Sequence, residues 1–401
     1  MLPLAGVKVI DLTSVAMGPF ASQWLGDFGA DIVKVEAPQG DTTRNTGPGN
    51  EPGMAAIYLG TNRNKRSIIL DLKRTEAREA LLKLVDTADI FMHSVRPQKL
   101  RKLGLDPDAL LARNPRLVYA GFHGFAEAGP YGGRPAYDDI IQGLCGSAAL
   151  MRQQSGEARY FPTIMADKTT GVIGAIAILA ALRGRDASGK GSYVEIPMFE
   201  SMVAFNLQEH FYGAHFVPPL APPVYPRVMS PSRKPHKTID SYICVMPYTD
   251  AHWRDFFAEV GTPEIAFEER FTGISRRTQN IDALYALAAQ HIATKTTAEW
   301  IDIFNRLQIP AAPMLELVDL LEDEHLAQTG FFEVLDDEKI GKVRFTGVPV
   351  LIDGERLPIN FPPRLGEHGR IILAEAGLTE EEINTVLSEP RHPTQHESTP
   401  A

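Results

Sequence analysis

Hydrophobic and polar positions in the first third of the chain follow two alternating patterns. Apolar residues spaced as on a helix predict one helix over 19–27, with Pro at its first turn, and another that Thr75 caps and that runs to about residue 87. Strand and helix alternating in this order are typical of a parallel, doubly wound α/β sheet. The strands are predicted from short runs rich in β-branched residues at 7–12, 30–36, 67–72, 89–92 and 117–122.

The middle of the chain contains its most apolar segment. Residues 163–184 are rich in Ala and Ile and predict a buried helix that ends at Arg183 and Gly184. A strand at 193–196 and a helix at 199–213 are predicted to follow.

The pattern then changes to a proline-rich stretch. Seven prolines fall within 217–235 and predict a linker, which we set at 217–239. A second unit with one strand and three helices is predicted at 240–325. Strand signals return after it, and Thr379 is expected to cap a final helix. The polar tail from 390 to 401 is expected to be disordered.

Charge and composition exclude several classes of function. With 40 Lys and Arg against 50 Asp and Glu, the chain carries a net charge of −10, whereas nucleic-acid binding needs a basic footprint. The longest apolar stretch, 171–182, is shorter than the ~18–20 residues of a membrane helix, and the N-terminus lacks the pattern of a signal peptide. We therefore expect a cytoplasmic protein with neither a nucleic-acid nor a membrane partner. Because Cys145 and Cys244 are the only cysteines, neither a disulfide framework nor a thiolate zinc site is expected.

Common sequence motifs of catalysis are missing. No G-x-G-x-x-G follows the first strand, and no P-loop, H-E-x-x-H or G-x-S-x-G motif occurs. This weakens a nicotinamide, nucleotide, metal or α/β-hydrolase function, and no metal site is predicted. The glycine-rich segment 124–133 is interpreted as a connector. The scattered histidines are interpreted as surface or core residues, namely His123, His210, His215 and His236.

Asp167 lies where the apolar helix is expected to begin, which allows two interpretations. Its side chain can cap free backbone N–H groups, which is the commoner role of an aspartate at that place. It can also be a carboxylate nucleophile beside backbone donors that stabilise an oxyanion. Two basic clusters lie at predicted loop edges of the sheet and could bind phosphates or simply be solvated surface: residues 62–66, and Arg96 with Lys99, Arg101 and Lys102.

A series of motifs from residue 4 to about 387 resembles the class III CoA-transferase family (CaiB/BaiF type). Each motif is weak alone, but their order and spacing are specific. They are LAGVKVIDL at 4–12, Gly18-Pro19, LGDFGADIVKVE at 25–36, NKRSIILDLK at 64–73, GPY at 129–131, YDDIIQG at 137–143, SGKGSYVE at 188–195 and LGEH at 365–368.

The resemblance implies a fold and an activity. It implies a Rossmann-like large domain built from both chain ends (1–216 and 326–401), a smaller inserted α+β domain at 240–325, and an interlocked homodimer. It implies an acyl-CoA:carboxylate CoA-transferase, with succinyl-CoA among its candidate donors. The acyl group and then CoA would be carried on Asp167, as an anhydride and then a thioester. Coenzyme A would be a substrate, and neither a metal nor an organic cofactor would be required.

Further positions match family positions one by one. The residues expected near CoA are Leu70, Lys73, Ser94, Val95 and Arg96, with Lys102 at its phosphates, Tyr137 and Asp138 at the acyl end, and Ala16 and Met17 in the loop over the thioester.

Two departures from the family pattern narrow the chemistry. Formyl-CoA transferases of the family carry Gln at the position of Ala16, and they carry a glycine run that does not occur between 217 and 260 here. Both departures argue against formyl or oxalyl substrates, and they leave backbone N–H groups near Met17 or Gly18 as candidate oxyanion donors. Basic side chains near the linker could bind a second carboxylate or be plain surface charge: Arg227, Arg233 and Lys234.

Two alternatives remain open at this point. The first is an enzyme similar to the α-methylacyl-CoA racemases, or another acyl-CoA isomerase. Those racemases pair the aspartate with a histidine at the position of Tyr137, and a tyrosine with a pKa near ~10 is a poor base at neutral pH. A non-catalytic CoA-binding protein would keep the fold without needing Asp167.

Overall fold

A parallel six-stranded sheet organises the N-terminal part of the chain. The computed structural model describes residues 1–388. Within them the strand order is β3-β2-β1-β4-β5-β6, and each pairing in this sheet is parallel. The six strands are β1 (Lys8–Leu12), β2 (Asp31–Glu36), β3 (Lys65–Ile69), β4 (Ile90–His93), β5 (Val118–His123) and β6 (Ser192–Pro197). This confirms the mixed α/β class with a parallel sheet.

Seven further strands form small antiparallel sheets. They are β7 (His236–Lys237), β8 (Tyr242–Val245), β9 (Ala311–Pro313), β10 (Phe332–Asp337), β11 (Gly341–Thr346), β12 (Leu351–Ile352) and β13 (Glu355–Arg356).

Helices occupy most of the remaining chain. In order they are α1 (Met17–Asp27), α2 (Ala56–Thr61), α3 (Thr75–Asp86), α4 (Pro97–Leu103), α5 (Pro107–Arg113), α6 (Asp138–Leu144), α7 (Ser147–Ser155), α8 (Met165–Ser188), α9 (Met198–His210), α10 (Pro226–Met229), α11 (Asp250–Glu259), α12 (Gly273–Gln279), α13 (Ile281–Ile292), α14 (Thr297–Arg306), α15 (Glu324–Gln328), α16 (Gly369–Glu375) and α17 (Glu380–Leu387). Short 3-10 helices lie at Thr42–Asn45, Tyr212–His215, Pro263–Phe267, Glu269–Phe271 and Asp319–Glu322.

The chain divides into two compact units. The first comprises residues 1–145, 163–202 and the described residues from 329 onward, and the second comprises 146–162 and 203–328. In the first unit, Leu81 of α3 and Ile372 of α16 belong to one buried cluster that covers a face of the parallel sheet. In the second unit, an aromatic core on α11 and α14 packs near the antiparallel strands β7–β9. The domain boundaries set from the sequence stay predictions.

The strand order reverses beside β1, and a crevice is expected between β1 and β4 at the carboxyl edge of the sheet. The chain steps outward from β1 to β2 and β3 on one side, and continues through β4, β5 and β6 on the other. In open α/β sheets ligands bind outside the carboxyl ends of the strands at such a switch point. The segments that follow β1, β4 and β5 therefore define the place to look for a site.

Helix α8 packs closely against the sheet and against α1 because it carries glycines where it makes contact. A Cβ atom on Gly174 would lie 2.5 Å from the ring of Phe122, and one on Gly171 would lie 2.8 Å from the carbonyl oxygen of Met17. This close packing fixes the start of α8 relative to the carboxyl ends of the strands.

The structure corrects several local predictions. Helix α8 continues past Arg183 and Gly184 to Ser188 and ends at Gly189 in the left-handed conformation, because a single glycine inside a packed helix costs only ~1 kcal/mol. Thr75 is the first residue of α3 rather than its cap. The predicted disorder of the tail from 390 to 401 lies outside the described residues.

The length of α8 also corrects the expectation that its apolar segment is too short to span a membrane. Its 24 residues make it long and apolar enough to cross a membrane, unlike the 12-residue stretch considered above. Length and composition cannot separate a membrane span from a core helix. Helix α8 packs against α1, β5 and β6, but only eight of its 24 residues are buried, so the predicted buried helix is only partly buried in this chain.

Thr379 forms the predicted cap of α17, and its removal is expected to be measurable. Its hydroxyl accepts the N–H of Glu382, whose carboxylate accepts the N–H of Thr379 in return. Thr379→Ala should lower the free energy of unfolding by about 1 kcal/mol, measured by urea unfolding at fixed protein concentration. Thr385→Ala, in the same helix but without a capping role, should cost less than ~0.5 kcal/mol. Equal losses in the two variants would contradict this account.

Candidate active site

A cleft of about 260 Å³ opens at the carboxyl edge of the parallel sheet, in the first unit. Its walls come from the segments after β1, β4 and β5 and from the first turn of α8, as the switch point predicts. The polar or functional lining residues are Ser14, Met17, Ser94, Arg96, His123, Glu127, Arg134, Tyr137 and Asp167.

Six of the residues expected from the family resemblance line this cleft. They are Ala16, Met17, Ser94, Arg96, Tyr137 and Asp167. Leu70, Lys73 and Val95 line a second cleft of about 370 Å³, and Ser14 lines both. The structure therefore separates the expected residues into two adjoining clefts.

Two expected residues lie elsewhere. Lys102 is exposed on α4 and lines neither cleft. Asp138 is buried, with 6% of its surface exposed, and does not line the cleft. It contacts the backbone N–H of Asp167 instead. The expectation that Asp138 lines the acyl end is thus not met by its position.

Asp167 does not cap the helix that it begins. It is the third residue of α8, and neither it nor Ile164 provides a side-chain cap. Its own backbone N–H donates to Asp138 Oδ2 at 3.0 Å. Burial, together with the nearby charge of Asp138, raises the pKa of the Asp167 carboxyl to about 7. Within residues 1–388 no hydrogen bond reaches the Asp167 carboxylate, so its oxygens face the cleft unpaired.

The loop between β1 and α1 is held in a strained conformation. Val15 has a φ of 71°, in the left-handed region that a β-branched residue rarely adopts. Both carboxylate oxygens of Asp41 accept the Val15 N–H at 3.2 Å. Lys34 binds Asp41 and the carbonyl oxygen of Thr13, each at 3.0 Å. These buried contacts over-determine the loop, as strained backbone at a functional site requires.

Helix α1 begins at the cleft with unpaired backbone donors. The N–H groups of Met17 and Gly18 have no acceptor within the helix, and no side chain caps them. Pro19, the third helical residue, has no N–H to satisfy. Ser94 accepts the Ser14 N–H at 3.1 Å and links this loop to the end of β4. The start of α1 can therefore bind negative charge in the cleft.

Sequence reasoning missed His123 as a site residue. It ends β5 and lines the cleft, and its ring lies against that of His93 with centroids 5.5 Å apart. Burial lowers the pKa of His123, so the imidazole is neutral near pH 7. Its Nε2 is buried and, among the described residues, has no hydrogen-bond partner. The signal that could have found it is its place at a strand end, where α/β proteins bind ligands.

The first basic cluster lies outside both clefts, and a phosphate-binding role for it stays a prediction. Within 62–66, Arg63 pairs with Asp27 at 2.6 Å, and Arg66 pairs with Asp31 at 2.6 Å. Arg63 lies just before β3 and Arg66 is its second residue, so both pairs form at the amino end of that strand, where only the Arg63–Asp27 pair is buried.

The basic residues near the linker belong to the second unit. The guanidinium of Arg227 lies 5.0 Å from the centre of the Tyr248 ring, and both residues line a small cavity there. The contact of Arg227, Arg233 and Lys234 with a second carboxylate stays a prediction. Among residues 1–388, no group of three or more His, Cys, Asp or Glu side chains could hold a metal ion.

Comparisons with known proteins identify the family to which the chain belongs. A probable fatty acyl-CoA transferase of Mycobacterium tuberculosis, Rv3272, is 32% identical over 76% of this chain and 80% of its own length. A succinate–glutarate CoA-transferase of Agrobacterium fabrum is 30% identical over 93% of this chain and 95% of its own. The crystal structure of a CAIB/BAIF family protein from Brucella suis matches with a TM-score of 0.77 and 30% identity, covering 93% of this chain and 99% of that one. The sequence model of CoA-transferase family III matches residues 4–369, and the chain therefore belongs to that family.

Proposed function

We propose that this CoA-transferase moves CoA from an acyl-CoA donor to a free carboxylic acid, with Asp167 as the covalent carrier. The observation that supports this most directly is the unpaired carboxylate of Asp167 in the cleft, beside two helix N-termini. A carboxylate suits the exchange because the anhydride it forms is at least as activated as a thioester, so the acyl group stays transferable.

In the first half of the reaction Asp167 takes CoA from the donor. An oxygen of its carboxylate attacks the thioester carbonyl carbon, the C–S bond breaks, and CoA leaves as a thiolate. This forms a mixed anhydride between Asp167 and the donor acyl group. The thiolate then attacks the aspartyl carbonyl carbon and releases the donor acid as a carboxylate, which leaves an aspartyl-CoA thioester.

In the second half the acceptor takes CoA from Asp167. Its carboxylate attacks the aspartyl thioester carbon and expels CoA thiolate, which forms a second anhydride. The thiolate attacks the acceptor acyl carbon, and the Asp167 carboxylate is released with the new acyl-CoA. No net proton is gained or lost.

Negative charge on the reacting oxygens is stabilised by hydrogen-bond donors, and the start of α1 can supply them. We assign this role to the N–H groups of Met17 and Gly18, which no side chain caps and which line the cleft. This assignment fits Ala16, whose methyl side chain cannot donate a hydrogen bond. The strained turn at Val15 immediately precedes these donors and sets their direction.

The pH dependence of the rate follows from the pKa of Asp167. Only the ionised carboxylate is a nucleophile, and its pKa of about 7 leaves it mostly protonated below that pH. With substrates whose ionisation is constant, kcat/KM should fall by about tenfold per pH unit below pH ~7 and level off above it. A profile that stays flat from pH 8 to pH 5 would contradict this role for the carboxylate.

The acids that the protein exchanges are best found with a substrate panel. Succinyl-CoA is a candidate donor, since a relative named for succinate and glutarate is 30% identical over 93% of the chain. The enzyme would be incubated with succinyl-CoA and free acids, and new thioesters identified by mass spectrometry. Hydroxylamine trapping followed by peptide mapping should locate the activated carboxylate at Asp167. Exchange of the α-hydrogen in deuterated water would indicate a racemase instead.

We further propose that the protein works as an interlocked homodimer in the cytoplasm. Four apolar side chains of the adjoining helices α6 and α8 are exposed, namely Ile140, Leu144, Val172 and Ile176. Such surfaces are covered in a partner interface more often than left in water. Light scattering of the purified protein should give twice the mass of the 44.1 kDa chain.

A further inference from the structure

We propose that Asp138 is a positioning residue, which caps helix α8 from a neighbouring helix and so leaves the side chain of Asp167 free to react. This inference rests on the proposed function, in which Asp167 is the nucleophile. It assigns Asp138 a role other than the substrate contact that its sequence position indicates.

The start of α8 needs a cap that its own residues do not provide. Ile164 precedes the helix and has no hydrogen-bonding side chain. The first backbone N–H groups of any helix have no partner inside it. Asp138 Oδ2, on α6, accepts the N–H of Asp167 at 3.0 Å and supplies the missing acceptor.

Two other helices of this chain also have an acidic side chain as their third residue, and there it takes part in capping. In α14 and α17 the third residue is Glu299 or Glu382, and its carboxylate folds back to accept the N–H of the capping threonine. An acid bound in that way is held away from any substrate. In α8 the third residue is Asp167, and no such bond forms within the described residues. Because Asp138 caps α8, the side chain of Asp167 is not needed for capping and remains available for the reaction.

The second oxygen of Asp138 is also held. Gln142 lies one turn later on α6 and donates to Asp138 Oδ1 at 2.5 Å. The same amide nitrogen lies 3.3 Å from the carbonyl oxygen of Thr163, just before α8. Asp138 and Gln142 therefore fix the first turn of α8, and with it the direction from which Asp167 enters the cleft.

Asp138 also places a negative charge next to Asp167. After burial, this charge is the second cause that raises the pKa of Asp167. A carboxylate with a higher pKa binds an acyl group more strongly but is ionised over a narrower pH range. The other titratable residues that line the cleft are Arg96, His123, Glu127, Arg134 and Tyr137.

The test replaces Asp138 with asparagine, which keeps an oxygen to accept the N–H but removes the charge. In Asp138→Asn the midpoint of the acid limb of kcat/KM should move down by about one pH unit. The fall in kcat/KM between pH 8 and pH 5 should then be about tenfold smaller than in the wild type. Asp138→Ala, which also removes the acceptor, should lower kcat at every pH by a further ~10-fold or more. Asp139→Asn is the matched control, because Asp139 is exposed on the same turn of α6, and it should leave the profile unchanged.

A second readout separates this inference from the proposed function. The Tm difference between Asp167→Asn and its parent, followed from pH 5 to pH 8, reports the titration of Asp167 without any substrate. When both proteins also carry Asp138→Asn, the midpoint of this pH-dependent change in the Tm difference should lie about one pH unit lower. An unmoved titration overturns the role of Asp138, whatever the activity does. A moved titration in an enzyme whose Asp167 is never trapped as an adduct supports the role of Asp138 and overturns the proposed function alone.

Discussion

Replacing Asp167 with alanine is expected to lower kcat for CoA exchange by at least roughly a thousandfold. The reason is that both covalent stages of the proposed reaction pass through this carboxylate, and removal of a nucleophile leaves only binding and the oxyanion donors. The protein should still fold, since within the described residues the Asp167 side chain makes no hydrogen bond that the fold depends on. The measurement is the rate of new thioester formation, together with acyl-CoA binding by calorimetry.

The control for this experiment lies on the same helix. Asp186 is exposed near the end of α8, and Asp186→Ala should keep activity within about twofold. Retained CoA binding with lost exchange in Asp167→Ala is the expected pair of results. If Asp167→Ala keeps a tenth or more of the wild-type rate, Asp167 does not carry CoA, and a non-catalytic or differently catalysed function has to be considered.

Replacing Asp167 with asparagine is expected to make the folded protein more stable at alkaline pH. The Asp167 pKa is about 7 in the folded protein and near 3.8 in an unfolded chain. Between these values the folded state binds more protons, so the stability that this group contributes falls as the pH rises from ~4 to ~7. A difference of about three pH units corresponds to at most about 4 kcal/mol, which the asparagine variant regains.

Urea unfolding at several pH values checks this expectation. The stability difference between Asp167→Asn and the wild type should be near zero at pH ~4, grow through pH 7 and stay constant above it. Asp186→Asn serves as the control, because its exposed side chain should show no such growth. Protein concentration is held fixed, since association would add to the apparent stability. A difference that is constant from pH 5 to pH 8 would show that Asp167 is an ordinary ionised carboxylate in the folded protein.

Much of the fold could be predicted from local sequence, because period and residue type act over a few neighbours. The β-branched runs located the first strands to within a few residues, and the Thr379 cap of α17 is confirmed, while its partner Glu382 was found only in the structure. Short helices were missed where proline begins them, as in α4 at Pro97 and α5 at Pro107. A segment of seven residues is too short to show a helical period.

The active site was predictable only in part. Asp167 was placed at the start of a helix from local sequence, and the family resemblance favoured it as the nucleophile. Whether it caps that helix depended on Asp138, which lies 29 residues earlier and meets it only after α6 and α8 pack together.

By itself, then, the sequence determined the alternation of strands and helices, the family resemblance, and the position of the aspartate that we propose as the nucleophile, because each is read from short local runs of residues. Tertiary structure alone decided that Arg63 and Arg66 pair with Asp27 and Asp31, that His123 lines the cleft beside His93, and that Asp138 accepts the N–H of Asp167 at the start of α8. Those outcomes depend on which distant groups share a buried space, because charge and hydrogen bonding are strong only where packing has removed the water between them.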